Sequence, residues 1–227
     1  MRIAYAMFAA LLISMMSGGE AGAVEPQAPA WKQVKEYKGI IGYARPNPRC
    51  RIDEIKAVGT IDAPLAVVEA VIRDVPNNKD FMFMCKKTAF LEIPEIKNTT
   101  DQYATYALMD MPFPVKDREA VACVSWTVDT TTGKLYAAGQ SLSTNYRCQT
   151  DAIRIPLVEA LYTLTPIAPD KTEIIYQAMS DPGGNLPAFL VSILSHDLGV
   201  KTIAGIRKMA KRDKYQHATV VTSTARR

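Results

Sequence analysis

Residues 176–212, YQAMSDPGGNLPAFLVSILSHDLGVKTIAGIRKMAKR, decide how the rest of the chain has to be arranged. They read as the end of a strand, a tight turn and one long helix. In Asp181-Pro182-Gly183-Gly184-Asn185 the proline fixes φ and the two glycines allow positive φ, which is turn chemistry. Pro187 stands in the first helical turn, where a missing N–H removes no bond. Phe189, Leu190, Ile193 and Leu194 then recur at helical spacing, and Ile203, Ile206, Met209 and Ala210 resume it. Lys208, Lys211 and Arg212 close the last turns, where cations suit the negative end of the helix dipole. A helix with such a face must cover something, so the upstream chain decides what lies beneath it.

Upstream, strand follows strand. Residues 39–45 and 51–61 read as two strands around the Pro46-Asn47-Pro48 turn, after a short helical turn over 31–36. Asp62-Ala63-Pro64 is a helix start, an Asp cap with proline behind it, and Leu65, Val68, Val71 and Ile72 form a stripe that stops before Pro76. Residues 77–84 form a second short helix or loop carrying Phe81, Met82, Phe83 and Met84. Strand-like runs follow at 88–93, 103–109, 119–128, 135–141, 153–164 and 172–179, joined by turn-rich connections. The fold class expected from this order is α+β: one curved antiparallel sheet with two short helices, gripping a long C-terminal helix.

The N-terminus reads differently. Arg2 precedes an apolar run over 3–16, and Ala21-Gly22-Ala23 is a small-residue cleavage site. Residues 1–23 are therefore expected to be a signal peptide, with an uncleaved anchor as the alternative. Residues 24–30 then form a flexible leader, 31–212 the folded domain and 213–227 a polar, disordered tail. Export to the periplasm or beyond follows from that reading.

Composition is ordinary for a globular protein, 48% hydrophobic and 22% charged, and a net charge of +4 is scattered along the chain. No basic block interleaves with aromatics, which argues against nucleic acid. Four cysteines, Cys50, Cys85, Cys123 and Cys148, show no paired metal-site spacing, so no metal or cofactor is expected. In an exported protein a disulfide is the expected use, and Cys50 with Cys148 is the preferred pair because both precede strand-like runs. Cys123 reads as a small buried hydrophobe.

Two segments resemble a known family. Met111-Pro112-Phe113-Pro114-Val115-Lys116-Asp117-Arg118-Glu119 is similar to the P-W-P-[VL]-x-x-R-[DE] loop-to-strand motif of START (steroidogenic acute regulatory-related lipid transfer) domains. Residues 181–187 resemble the D-x-x-G-x-[LI]-P approach to that family's last helix, matching at Asp181, Gly184 and Pro187. Residues 39–45 are similar to its first strand, and the resemblance extends over 31–212, nearest to bacterial secreted members. It implies a helix-grip fold with an apolar tunnel between sheet and C-terminal helix, one lipid or sterol inside and, as in most members, no catalytic activity. Arg118 matches the motif arginine, read as fixing the loop before its strand. The second buried arginine of animal sterol-binding members falls at Val124, so the resemblance does not carry sterol recognition by that residue.

A carrier needs apolar volume and a way in. Burying ~16 methylenes at about 0.8 kcal/mol each yields roughly 12 kcal/mol before ordering costs. The expected walls are Tyr106, Leu108, Trp126, Tyr176 and Met179 from strands, with Phe189, Leu190, Ile193 and Leu194 from the helix. Any one of them reads as well as an ordinary core residue, whereas the helix face as a group reads better as cavity lining. Phe81, Met82, Phe83 and Met84 either plug the core or form a portal, where flexible methionine suits varied ligands. No catalytic set is evident: His196 and Asp197 are helix neighbours that point apart, and no nucleophile elbow occurs. The expected function is non-catalytic binding and transport of one hydrophobic molecule by a monomer that touches membranes transiently. A cyclase or hydrolase using the same cavity is the alternative.

Overall fold

Alternation of buried and accessible side chains along several strands, combined with cross-strand register, places the sheet's two faces. In the computed structural model, which describes residues 29–146 and 151–221, β1 (Lys32–Tyr37), β2 (Ile40–Arg45) and β3 (Glu54–Ile61) form the first antiparallel strands. The short α1 (Leu65–Arg73) and a 3-10 segment (Val75–Asp80) follow. Then come β4 (Cys85–Leu91), β5 (Gln102–Met109), β6 (Arg118–Val128) and β7 (Leu135–Ser141). The short β8 (Ile153–Arg154), β9 (Leu157–Ala168) and β10 (Lys171–Asp181) complete the sheet before α2 (Ala188–Met209).

Strand order across the sheet is β1-β2-β3-β10-β9-β7-β6-β5-β4, with β8 parallel to β6 at its first residues. The chain therefore lays three strands, leaves for the far edge, meanders back and closes on β3 with β10. The α+β helix-grip architecture expected from the element order is the one observed.

Helix α2 lies over β1–β3 and β10, and it runs unbroken through Gly199. A Cβ at Gly199 would stand 2.8 Å from the Ala57 Cβ, so glycine is what lets the helix axis approach β3 this closely. Val200, Ile203, Ile206 and Met209 are fully buried there, in a core shared with Ile40, Ile55, Ala57, Ile61 and the α1 face Val67, Val68, Val71 and Ile72. Arg207 ties the same helix to the sheet by donating to the Thr60 and Lys38 carbonyls.

Local expectations fail in three places. Residues 31–36 are mostly strand β1, not a helical turn. Pro64, not Asp62, caps α1, and Asp62 pairs instead with Lys171 at 3.5 Å. The stretch after Arg212 begins with a 3-10 turn whose Tyr215 is buried and donates to Asp74, while the Val221 amide donates to Glu69. The expected signal peptide lies outside the described residues, as does the leader up to residue 28.

A candidate ligand chamber beneath the C-terminal helix

Register decides which side chains face α2. Ala57 touches the helix at Gly199, and its cross-strand partner is Tyr176, so even-numbered β10 residues from Thr172 to Ala178 face the helix. Carrying the pairing across gives Tyr162 and Ala160 on β9, Ala137 and Gly139 on β7, Trp126, Val124 and Ala122 on β6, and Tyr103, Thr105 and Ala107 on β5.

This face has two halves. Near α1 the side chains are large and sealed: Ile174, Leu164, Leu135, Trp126 and Tyr103 are all buried, and the Trp126 indole N–H donates to the Tyr103 hydroxyl at 2.8 Å. Toward residues 181–187 the positions are small: Ala178, Ala160, Gly139, Val124, Ala122, Thr105 and Ala107. All keep accessible surface although they face the helix side. On β5 the contrast is direct, since the helix-facing Thr105 and Ala107 are partly accessible while Ala104, Tyr106 and Leu108 on the opposite face are buried. Small side chains under a helix leave space that larger ones would fill. That half of the face is the candidate floor of a ligand chamber.

Tyr162 and Tyr176 stand where the two halves meet. They are cross-strand partners whose rings stack at 4.6 Å between centroids and 23° between planes. Burial pushes the Tyr176 phenol up to about 12. It pushes Tyr162 well above its usual value too, with help from neighbouring Tyr176 and Cys85. Cys85, paired with the helix-facing Met109, is raised to about 11 by burial. All three groups are thus protonated and neutral near pH 7.

The candidate mouth is a surface cleft built by the two motif segments. Arg118, only 1% exposed, spreads its guanidinium over three carbonyls: Nε to Pro182 at 3.3 Å, Nη1 to Lys116 at 2.5 Å and Nη2 to Gly183 at 3.1 Å. Gly183 and Gly184 both take positive φ, and Asp181 accepts from the Gly183 amide at 3.0 Å, so residues 181–187 form the tight turn expected of them. Between the turns lies a cleft of about 470 Å³, bordered by Pro114, Val115, Lys116, Arg118, Ile153, Asn185, Leu186 and Pro187. Phe113, in a cis bond to Pro114, is 97% exposed at its rim. Phe189, at the start of α2, is 57% exposed.

Several expected wall residues lie elsewhere. Tyr106 and Leu108 face the opposite side of the sheet, in a second cluster with Leu91, Ile93, Ala104 and Val121. Strand alternation excludes them from the chamber while Tyr103 and Thr105 are in it. Met179 is one residue out of phase with Tyr176, and its sulfur meets the Asn47 amide at 2.8 Å. Phe189 points outward. Trp126 and Tyr176 do face the helix, with Trp126 in the sealed half. Leu190 and Leu194 are buried under α2 and Ile193 is partly accessible. Phe81 is a core plug rather than a portal, its backbone 2.7 Å from where a Gly205 Cβ would be. Met82, Phe83 and Met84 are partly buried, with the Lys201 ammonium over the Phe83 ring at 4.4 Å. Cys50 is partly buried, and Cys148, its expected disulfide partner, lies outside the described residues. Sequence reasoning missed Tyr162, Cys85 and the small-residue floor. The alternation Ala160-x-Tyr162-x-Leu164 could have flagged the first.

No family model matches the chain. An uncharacterized protein of Pseudomonas aeruginosa is 27% identical over 185 residues, covering 82% of this chain and 89% of that one. Among solved structures, a STAR-related lipid transfer protein from Xanthomonas axonopodis superposes with a TM-score of 0.71 at 22% identity, covering 80% of this chain and 99% of that chain. Human STARD10 gives 0.68 at 20% identity, covering 81% and 74%. With its sheet order, its gripped C-terminal helix and these superpositions, the chain has the START-like helix-grip fold.

Proposed function

We propose that this protein is a non-catalytic carrier that holds one lipid or other hydrophobic molecule between the sheet and α2. The observation that carries this reading is the floor of small, accessible residues facing a helix, beside large, sealed ones in the same strands. The superposition on proteins described as lipid transfer proteins supports it. So does the state of the polar groups. A general base or nucleophile works best with a pKa near the working pH, whereas burial moves Tyr162, Tyr176 and Cys85 further above it, so none of them offers an anionic base or nucleophile there. As neutral groups they can hydrogen-bond a ligand.

The carrier acts as a monomer in the periplasm, released there by cleavage after Ala23, and it meets membranes through its mouth. Phe113 and Phe189 offer aromatic side chains to a bilayer, and Lys116 beside them suits anionic head groups. Purified protein should yield a hydrophobic molecule on organic-solvent extraction and mass spectrometry, at about one per chain. If nothing is extracted, and fluorescent acyl chains do not bind at micromolar concentration, the carrier reading fails.

A further inference from the structure

Two phenol hydroxyls in the chamber have no partner. Among the described residues neither the Tyr162 nor the Tyr176 hydroxyl makes a hydrogen bond, and neither oxygen is fully enclosed, although Tyr176 as a residue is 92% buried. Two open hydroxyls side by side at the edge of an accessible floor can each donate to and accept from a bound ligand, so they point to a ligand whose polar end meets them. Tyr162 carries accessible surface, yet it is deep enough for burial to raise its pKa. Those two properties coincide when the accessible surface belongs to internal space.

Charge is missing around them. Their same-face neighbours are Ala137, Ala57, Ala160 and Ala178. A lysine or arginine close by would hold the phenols down; instead both are raised, by burial first. Asp197 on α2 is already shared by Lys35 and Lys201, and Arg118 at the mouth is engaged with three carbonyls. A carboxylate or phosphate placed against the tyrosines would be a buried anion with no counter-charge, which is far more costly than a neutral group with two hydrogen bonds.

We propose that the chamber selects hydrophobic molecules whose polar end is uncharged, such as an alcohol, ketone or ester, and that the Tyr162 and Tyr176 hydroxyls hold that end. The proposal rests on the carrier reading and names its ligand class.

The test uses the purified full-length protein loaded with Nile red at pH 7.5. Dodecan-1-ol, methyl dodecanoate and dodecanoate are compared as displacers. The alcohol and ester should displace the dye at concentrations at least tenfold below that of dodecanoate. In the variant Y162F/Y176F, which keeps both rings, this preference should shrink at least fivefold through weaker binding of the alcohol and ester. The ligand-free variant should melt no lower than the parent, because no protein hydrogen bond is lost. Equal displacement by dodecanoate, or a preference that survives the double substitution, overturns the head-group assignment and leaves the carrier reading standing. Failure of the dye and all three displacers to bind either protein overturns both.

Discussion

Arg118 is the residue on which the mouth depends. Its planar fork reaches three carbonyls in two turns, a geometry that the single ammonium of lysine cannot copy. Hydrogen bonds to a charged group contribute about 1.5–3 kcal/mol each, so Arg118→Lys should lower stability by roughly 2–4 kcal/mol in urea unfolding. A variant within 0.5 kcal/mol of the parent, a margin of about the size seen at ordinary surface sites, would show that the clamp contributes little. The motif arginine stood out in the sequence from its neighbours, Pro112, Pro114 and Glu119. Its three acceptors did not, because backbone carbonyls carry no residue signature. Tyr162 and Tyr176 show the same limit: each is an unremarkable strand aromatic until register places them side by side.

Elements whose rules are local were readable. The turn at 181–187 and helix α2 follow from glycine, proline and 3.6-residue spacing, and they appear where those signals put them. Strand phase was harder to read. Tyr106 and Leu108 are as apolar as Tyr103, and only the pairing of β5 with β6 shows which of them faces the helix. Within α2 the structure separates two neighbours that looked equivalent. Leu190 is fully sealed whereas Ile193 retains accessible surface. Ile193→Trp should therefore occupy chamber space and weaken ligand binding at least tenfold with little loss of melting temperature. Leu190→Trp should overpack the core and cost about 1–3 kcal/mol. Dye titration and thermal melts on the two variants check both, and an Ile193→Trp protein that unfolds would place that side chain in packed core.

For the molecule as a whole, acid stability should follow two carboxylates that join distant parts of the chain. Asp74 sits at the end of α1 and receives Lys214, Asn77 and Tyr215; Asp197 on α2 receives Lys35 and Lys201. Burial alone would push both up, but those hydrogen bonds bring each below its usual value. A depressed folded-state pKa stabilises the fold fully above the unfolded value, near pH ~4, and the benefit is lost as pH falls through the depressed value. Melting temperature should hold on the neutral side of pH ~4 and drop below it, with a shallower drop in Asp74→Asn and Asp197→Asn. An unchanged acid profile in both variants would assign the loss to other groups.

The closing of β10 on β3 also sets an order of events. β1, β2 and β3 are made first, yet β3 has no second neighbour until β10, beginning at Lys171, has been synthesised. Only then can α2 cover them. Long-range pairing of this kind is slow to form because the intervening chain must be closed into a loop first. A nascent chain built this way cannot complete its sheet or seat α2 until Lys171 and the residues after it have been made.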